Sequence, residues 1–98
     1  MFFKKNFEQI NINEIKEMKN PNIIDVRTKE EYQVSKIKGT KNIELETLLN
    51  NPDKYLKKEI QYYIMCASGM RSATACDYLS KLGYQVTNLK GGISAYRE

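Results

Sequence analysis

A cysteine stands between a run of large apolar residues and a glycine-containing turn that opens a helical pattern. The apolar run at residues 60–65 predicts a buried parallel strand. Cys66 follows it and begins the segment CASGMRS. The backbone N–H groups of such a turn, the positive end of the next helix dipole and the Arg71 guanidinium all favour a thiolate over a thiol. Cys66 is therefore a candidate nucleophile; the alternative is an inert, buried cysteine in an ordinary turn.

Five separated blocks of the sequence occur in the order in which rhodanese domains carry them. They are IIDVR, EEY, IKGTKNI, CASGMRS and LKGGISAY, which begin at Ile23, Glu30, Ile37, Cys66 and Leu89. From about residue 7 to residue 97 the chain therefore resembles the rhodanese family. The resemblance implies a persulfide-forming cysteine and an α/β fold, with a central, mostly parallel five-stranded sheet and helices on both faces.

The resemblance also implies a role for each residue of the loop. Cys66 is the catalytic residue, and the substrate-binding residues are Ala67, Ser68, Gly69, Met70, Arg71 and Ser72. Asp25 and Arg27 give structural support, Arg27 by pairing with Glu30 or Glu31 and Asp25 by ordering the neighbouring loops. A carboxylate beside an anion-binding thiolate would oppose its charge, which favours the supporting role for Asp25.

The spacing within the loop separates two chemistries. Cysteine phosphatases and arsenate reductases place five residues between the cysteine and the arginine, whereas only four separate Cys66 from Arg71. The shorter cradle fits one sulfur atom beyond the cysteine better than a phosphoryl group. The spacing therefore favours sulfur transfer, although a phosphatase or arsenate reductase remains an alternative function.

The implied reaction is a double displacement through a covalent persulfide on Cys66. A small anionic donor such as thiosulfate supplies the sulfur, and a thiol or cyanide accepts it. The chain contains no histidine, so a Cys–His pair cannot activate the thiol. We expect no metal ion and no organic cofactor. Two alternatives remain: a protein-to-protein sulfur relay or redox partner, with the lysine-rich residues 36–41 as its docking surface, and a non-catalytic interaction module.

The family pattern is not fully kept. Where rhodaneses commonly read Gly-His-Ile-Pro-Gly-Ala, this chain reads SKIKGT at residues 35–40, and Tyr96 replaces the usual tryptophan. These departures affect the rim and the packing, not the nucleophile. They leave the identity of the substrate and the partners open.

The second cysteine, Cys76, falls one turn into the helix after Arg71. A small, buried packing position is the first interpretation; a resolving thiol that captures the oxidised or persulfidated Cys66 is the alternative. Two cysteines at this separation are typical of thiols rather than a disulfide framework. We therefore expect a cytoplasmic protein.

Length and composition narrow the function classes. The 98 residues, 41% of them hydrophobic, predict a single domain over residues 1–98. The net charge of +4 is spread along the chain, which does not indicate nucleic-acid binding. No stretch is long enough to cross a membrane. Residues 1–5 are followed by polar residues, so we expect no secretory segment.

Short apolar runs alternate with amphipathic segments, as in a parallel sheet covered by helices. We expect strands at residues 7–12, 23–26, 41–43, 60–65 and 85–89, and helical segments at residues 13–19, 28–34, 44–50, 54–58, 71–82 and 93–96. Asn13 is the expected cap of the first helix, and Thr28 with Glu31 forms a capping box. In the helix after the loop, Leu82 is expected to face inward, and Gly83 to end the helix.

Overall fold

The central feature is a five-stranded, wholly parallel sheet, seen in a computed structural model that describes residues 7–98. Its strands are β1 (Glu8–Asn11), β2 (Asn22–Asp25), β3 (Thr40–Asn42), β4 (Gln61–Met65) and β5 (Gln85–Lys90). The order across the sheet is β1-β5-β4-β2-β3. Because β4 is central, the residue that follows it lies at the middle of the edge where all five strands end. The predicted α/β class and five-stranded parallel sheet are confirmed.

Helices cover both faces of this sheet. They are α1 (Lys29–Val34), α2 (Leu45–Asn50), α3 (Pro52–Tyr55), α4 (Met70–Lys81) and α5 (Gly92–Ala95), with a 3₁₀ helix at Ile12–Glu17. The consecutive apolar residues of β4 alternate between the faces, so that Ile64 packs in one buried cluster and Met65 in the other. The first cluster includes Leu48 of α2 and Leu79 of α4. The second includes Ile12 of the 3₁₀ helix.

Helix caps explain where two of the helical segments begin. The Thr28 side chain accepts from the Glu31 N–H while the Glu31 carboxylate accepts from the Thr28 N–H, as the predicted capping box requires. The predicted cap at Asn13 is wrong, because Asn11 caps the 3₁₀ helix and accepts from the Asn13 N–H. The Asn13 side chain instead donates to the Ala95 carbonyl at 3.0 Å and accepts from the Arg97 N–H.

Two other expectations about the helices are wrong. The segment predicted at residues 54–58 is α3, which begins at Pro52; proline at the first helical position has no N–H to leave unpaired. Leu82 is 42% exposed, because it lies beyond the last residue of α4 and no longer follows its inward stripe. Gly83 takes a left-handed φ of +96° after the helix, as expected.

The described part of the chain contains no helix with the length and apolar character needed to span a membrane. The expectation that residues 1–5 hold no secretory segment falls outside the described residues.

Candidate active site

The loop after β4 places Cys66 at the end of the central strand and directly before α4. Gly69 is the cap residue of α4 and has a left-handed φ of +100°. A Cβ atom at Gly69 would lie 3.1 Å from the Gly91 backbone nitrogen. The backbone conformation strongly favours glycine, and any Cβ here would force the Gly91 backbone to shift, so glycine lets the turn bend back over the cysteine without strain.

Three hydrogen-bond donors converge on the Cys66 sulfur. The Gly69 N–H donates to Sγ at 3.1 Å, and the Ser72 N–H and Oγ both donate at 3.4 Å. Cys66 itself is 1% exposed. A buried sulfur that receives three donors is far better suited to carry negative charge than one in an apolar pocket.

The environment of Cys66 acts on its pKa in both directions. Burial is the largest single influence and raises the pKa of the thiol. Hydrogen bonds from the Ser72 hydroxyl and from the N–H groups of Ser72, Gly69 and Ser68 act in the opposite direction. Together they outweigh burial, so the pKa of Cys66 lies below the ordinary value for cysteine. The loop therefore favours the thiolate.

The last helix fixes the backbone of the loop from behind. The Ile93 N–H donates to the Cys66 carbonyl, and the Ser94 N–H donates to the Ala67 carbonyl, each at 3.0 Å. A Cβ atom at Gly92 would overlap both of these carbonyl groups. With its carbonyls bound to α5, the start of the loop is held while the N–H groups further along face the sulfur. Sequence reasoning treated this Gly-Gly segment only as a turn and missed its contact with the loop.

Arg71 forms an ion pair across the mouth of the loop. Its guanidinium donates to both carboxylate oxygens of Glu31, at 2.7 and 2.9 Å, and no hydrogen bond joins it to Sγ within residues 7–98. The hydrogen bond from Arg71, followed by the bond from the Thr28 N–H, lowers the pKa of Glu31 to about 2. The guanidinium expected to act directly on an anion is thus held by a carboxylate forty residues away in sequence.

Asp25 and Arg27 form a buried ion pair at the end of β2. The Arg27 Nε and Nη2 groups donate to the Asp25 carboxylate at 2.8 to 3.1 Å, so the predicted pairing of Arg27 with the carboxylate of Glu30 or Glu31 is wrong. Arg27 also donates to the main-chain carbonyls of Glu31 and Ser35. These bonds tie α1 to the sheet and hold in place the helix whose Glu31 pairs with Arg71.

Cys76 lies in the apolar cluster beneath α4 and is fully buried. Burial, followed by the nearby charge of Cys66, raises the pKa of Cys76 to about 12. Its thiol is therefore protonated at neutral pH, which disfavours nucleophilic attack. This environment is that of a packing residue.

The remaining loop residues border solvent. Ser68 is exposed, Ala67 is half-buried and Met70 is 76% exposed. A cleft of about 360 Å³ opens beside Arg71. It is lined by Val26, Thr28, Glu44, Leu45, Glu46, Thr47 and Arg71. Arg71 thus shares its cleft with the two carboxylates Glu44 and Glu46, and Met70 adds an apolar side chain at the rim of the loop.

A strand-end cysteine enclosed by loop N–H groups, on a five-stranded parallel sheet, defines an α/β protein with a candidate nucleophilic cysteine. The family model for the rhodanese-like domain matches residues 11–98. The chain belongs to the rhodanese-like sulfurtransferase family, as its motifs predicted.

Individual relatives agree with this assignment. YtwF of Bacillus subtilis is 36% identical over 76 residues, which cover 76% of this chain and 71% of that protein. The crystal structure of a rhodanese-like domain protein from Staphylococcus aureus is 34% identical with a TM-score of 0.81, covering 94% of this chain and 93% of the other. An adenylyltransferase and sulfurtransferase of Ogataea parapolymorpha is 27% identical over 90 residues. The match covers 91% of this chain but 23% of that longer protein.

Proposed function

We propose that Cys66 accepts a sulfane sulfur as a persulfide and passes it to an acceptor thiol, or to cyanide in an assay. The observation that carries this proposal is the convergence of the Gly69 N–H and both Ser72 donors on Sγ, at 3.1 to 3.4 Å. Membership of the rhodanese-like sulfurtransferase family supports it. We further propose that Ala67, Ser68 and Met70 form the substrate-facing part of the loop.

The reaction balances without a metal ion or an organic cofactor. The Cys66 thiolate attacks the outer sulfur of thiosulfate, the S–S bond of the donor breaks, and sulfite leaves with the bonding electron pair. The terminal sulfur of the resulting persulfide carries the negative charge, which fixed donors stabilise better than mobile water does. An acceptor thiolate then attacks that terminal sulfur and releases the Cys66 thiolate.

Intact mass after incubation with thiosulfate tests this proposal directly. We expect one added sulfur atom on the wild-type protein, removed again by cyanide. Cys66→Ser should abolish loading, and Cys76→Ser should retain most of it because the Cys76 thiol is protonated and buried. Retained loading in the Cys66→Ser variant would refute the assignment of the nucleophile.

A second candidate function, a sulfur relay between proteins, is favoured by the state of Arg71. Thiosulfate carries two negative charges, but the only cation of the loop is paired with Glu31, and Glu44 and Glu46 line the same cleft. A dianion is therefore poorly attracted to this loop. The exposed Met70 beside the nucleophile offers apolar contact to a protein partner. The relative from Ogataea parapolymorpha is named as both an adenylyltransferase and a sulfurtransferase, and a protein with both activities fits such a relay.

The two functions differ in the donor that loads Cys66. For a relay, we expect a cysteine desulfurase supplied with cysteine to load the wild-type protein faster than thiosulfate does. Glu31→Gln, which releases the Arg71 charge, should raise the rate of loading from thiosulfate by about twofold to fivefold, the range of an exposed ion pair. Glu17→Gln makes the same charge change at an exposed position of the 3₁₀ helix and should leave that rate unchanged. Rapid turnover of thiosulfate by the wild type would instead favour the first function.

Two unpaired cysteines, one of them reactive, also suit a reducing compartment. We propose a cytoplasmic location on that ground.

A further inference from the structure

The side chain of Asn88, in β5, is an unusual group for the centre of a sheet. Asn88 is 1% exposed, and its Oδ1 atom has no hydrogen-bond partner among residues 7–98. Leaving a buried amide oxygen unpaired lowers stability, and such a group calls for an explanation outside packing. The other end of the amide gives that explanation.

Both hydrogen bonds of the Asn88 amide come from its nitrogen. Nδ2 donates to the Gly69 carbonyl at 3.2 Å and to Gln9 Oε1, on the neighbouring strand β1, at 2.9 Å. The Gly69 carbonyl is only an acceptor, so the amide must turn its NH₂ group toward it. That requirement fixes which end of the amide is left without a partner.

The Gly69 carbonyl would still have a hydrogen-bond donor if Asn88 were absent. It already accepts the Ala73 N–H at 3.2 Å in the first turn of α4. The additional bond from Asn88 is therefore not needed to satisfy a buried group. Its effect is geometric, because it ties the left-handed Gly69 and the start of α4 to β5.

That geometry matters because all three donors to the Cys66 sulfur belong to the segment that begins at Gly69. The Gly69 N–H belongs to the residue that Asn88 holds, and the Ser72 N–H and Oγ belong to the first turn of the same helix. We propose that Asn88 is a positioning residue for the thiolate: through the Gly69 carbonyl it keeps the donors of the loop directed at Sγ. This inference rests on the proposed role of Cys66 as the nucleophile.

The pH dependence of alkylation of Cys66 by iodoacetamide, assigned by peptide mass, tests the proposal. Asn88→Leu keeps the branched shape of the side chain and removes both the donor and the unpaired oxygen. We expect the pH profile of the variant to move to higher pH, with alkylation at neutral pH slower by about fivefold to tenfold, as for loss of one bond that aligns a charged group. The urea midpoint should not fall, because the unpaired Oδ1 atom is lost as well.

Thr87→Val is the matched control. Thr87 is the adjacent buried residue of β5 and accepts a 2.9 Å hydrogen bond from Gln61, which lies at the end of β4 opposite the loop. The control should keep the wild-type pH profile. An unchanged profile in Asn88→Leu would overturn the proposal, as would an equal shift in Thr87→Val.

A third variant covers the case in which Asn88→Leu does not fold. Gln9→Ala removes the acceptor that orients the Asn88 amide, and it should move the profile in the same direction by a smaller amount. Failure of the proposed function would give a different result. Cys66 of the wild-type protein would then show the alkylation pH profile of an ordinary thiol and would take up no sulfur. A normal wild type with unaltered Gln9→Ala and Asn88→Leu profiles would refute the positioning role alone.

Discussion

The reactivity of Cys66 depends on a balance between burial and hydrogen bonding. Its 1% exposure raises the pKa of the thiol, while the donors from Ser72, Gly69 and Ser68 lower it by more. Because the two opposing influences act on the same sulfur, loss of one donor leaves burial unchanged and moves the pKa upward. Single substitutions in the loop should therefore change reactivity more than they change stability.

Ser72→Ala tests that balance at one atom. The variant loses the hydroxyl donor to Sγ, so the pKa of Cys66 rises and alkylation at neutral pH slows by about threefold to tenfold. At alkaline pH, where Cys66 is ionised in both the wild type and the variant, the two alkylation rates should converge. Stopped-flow alkylation across the pH range measures both quantities.

The control for this change is Ser94→Ala. Ser94 touches the loop through its N–H, which alanine keeps, so the profile should match the wild type. Equal profiles for Ser72→Ala and the wild type would show that the hydroxyl does not stabilise the thiolate.

The loop is held by secondary-structure elements from two directions. The first turn of α4 supplies donors to the sulfur, and the first turn of α5 supplies donors to the carbonyls of Cys66 and Ala67. Gly92 allows the second contact, because any Cβ at that position would overlap the loop backbone. The docking of α5 is therefore part of the site, although no side chain of α5 reaches the sulfur by a hydrogen bond within the described residues.

Gly92→Ala should damage both the fold and the site. The substitution forces a Cβ into the loop carbonyls and strains a φ of +59°, so we expect a loss of about 3 kcal/mol or more in the free energy of unfolding. Sulfur loading of the folded fraction should fall as well. Urea denaturation and intact mass give the two readouts.

Gly39→Ala measures the cost of backbone strain without the steric overlap that Gly92→Ala introduces. Gly39 has a φ of +87°, but nothing lies within 4 Å of the position that an alanine methyl group would take there, so only the backbone cost of about 1–2 kcal/mol is expected. Equal losses in the two variants would mean that contact with the loop adds nothing.

The order of strands and helices could be predicted because the local signals are strong. The apolar run before Cys66, the Thr28 capping box and the glycine after α4 each act within a few residues. One error arises where a distant contact decides between two local options. Asn11 and Asn13 are both suitable helix caps, but the Asn13 side chain donates a hydrogen bond to the Ala95 carbonyl, 82 residues away.

The site was predictable only in part for the same reason. Spacing around Cys66 indicates a loop of donors, but it cannot reveal that Glu31 pairs with Arg71 or that Arg27 chooses Asp25. It also cannot reveal that Asn88 reaches Gly69 from another strand. Two of these pairings, Glu31 with Arg71 and Asn88 with Gly69, depend on how the fold brings separate elements together.

The pair formed by Glu31 and Arg71 joins the first and fourth helices above the edge of the sheet. Residues 1–98 are predicted to form one rhodanese domain, and the family match over residues 11–98 supports this prediction.

Within such a single domain, acid should lower the free energy of unfolding by breaking the Glu31–Arg71 pair. The pKa of Glu31 falls from 4.5 to about 2 on folding, so its contribution to stability is present above pH 4.5 and is lost as the pH falls toward 2.

Glu31→Gln should remove that part of the acid sensitivity. At neutral pH the variant should be slightly less stable than the wild type, because the pair is about a third exposed and is screened by solvent. The difference should shrink as the pH falls from 4.5 to about 2. Urea midpoints across that range measure it, and a constant difference would contradict the assignment.

The contacts of α5 with the loop have a consequence for synthesis of the chain. Ile93 and Ser94, which bind the loop backbone, are translated well after Cys66, and so is β5, which completes the pairing of the central strand. A nascent chain that ends between them exposes a cysteine whose surroundings are unfinished. Full nucleophilic competence should therefore arise only once these late residues have emerged from the ribosome.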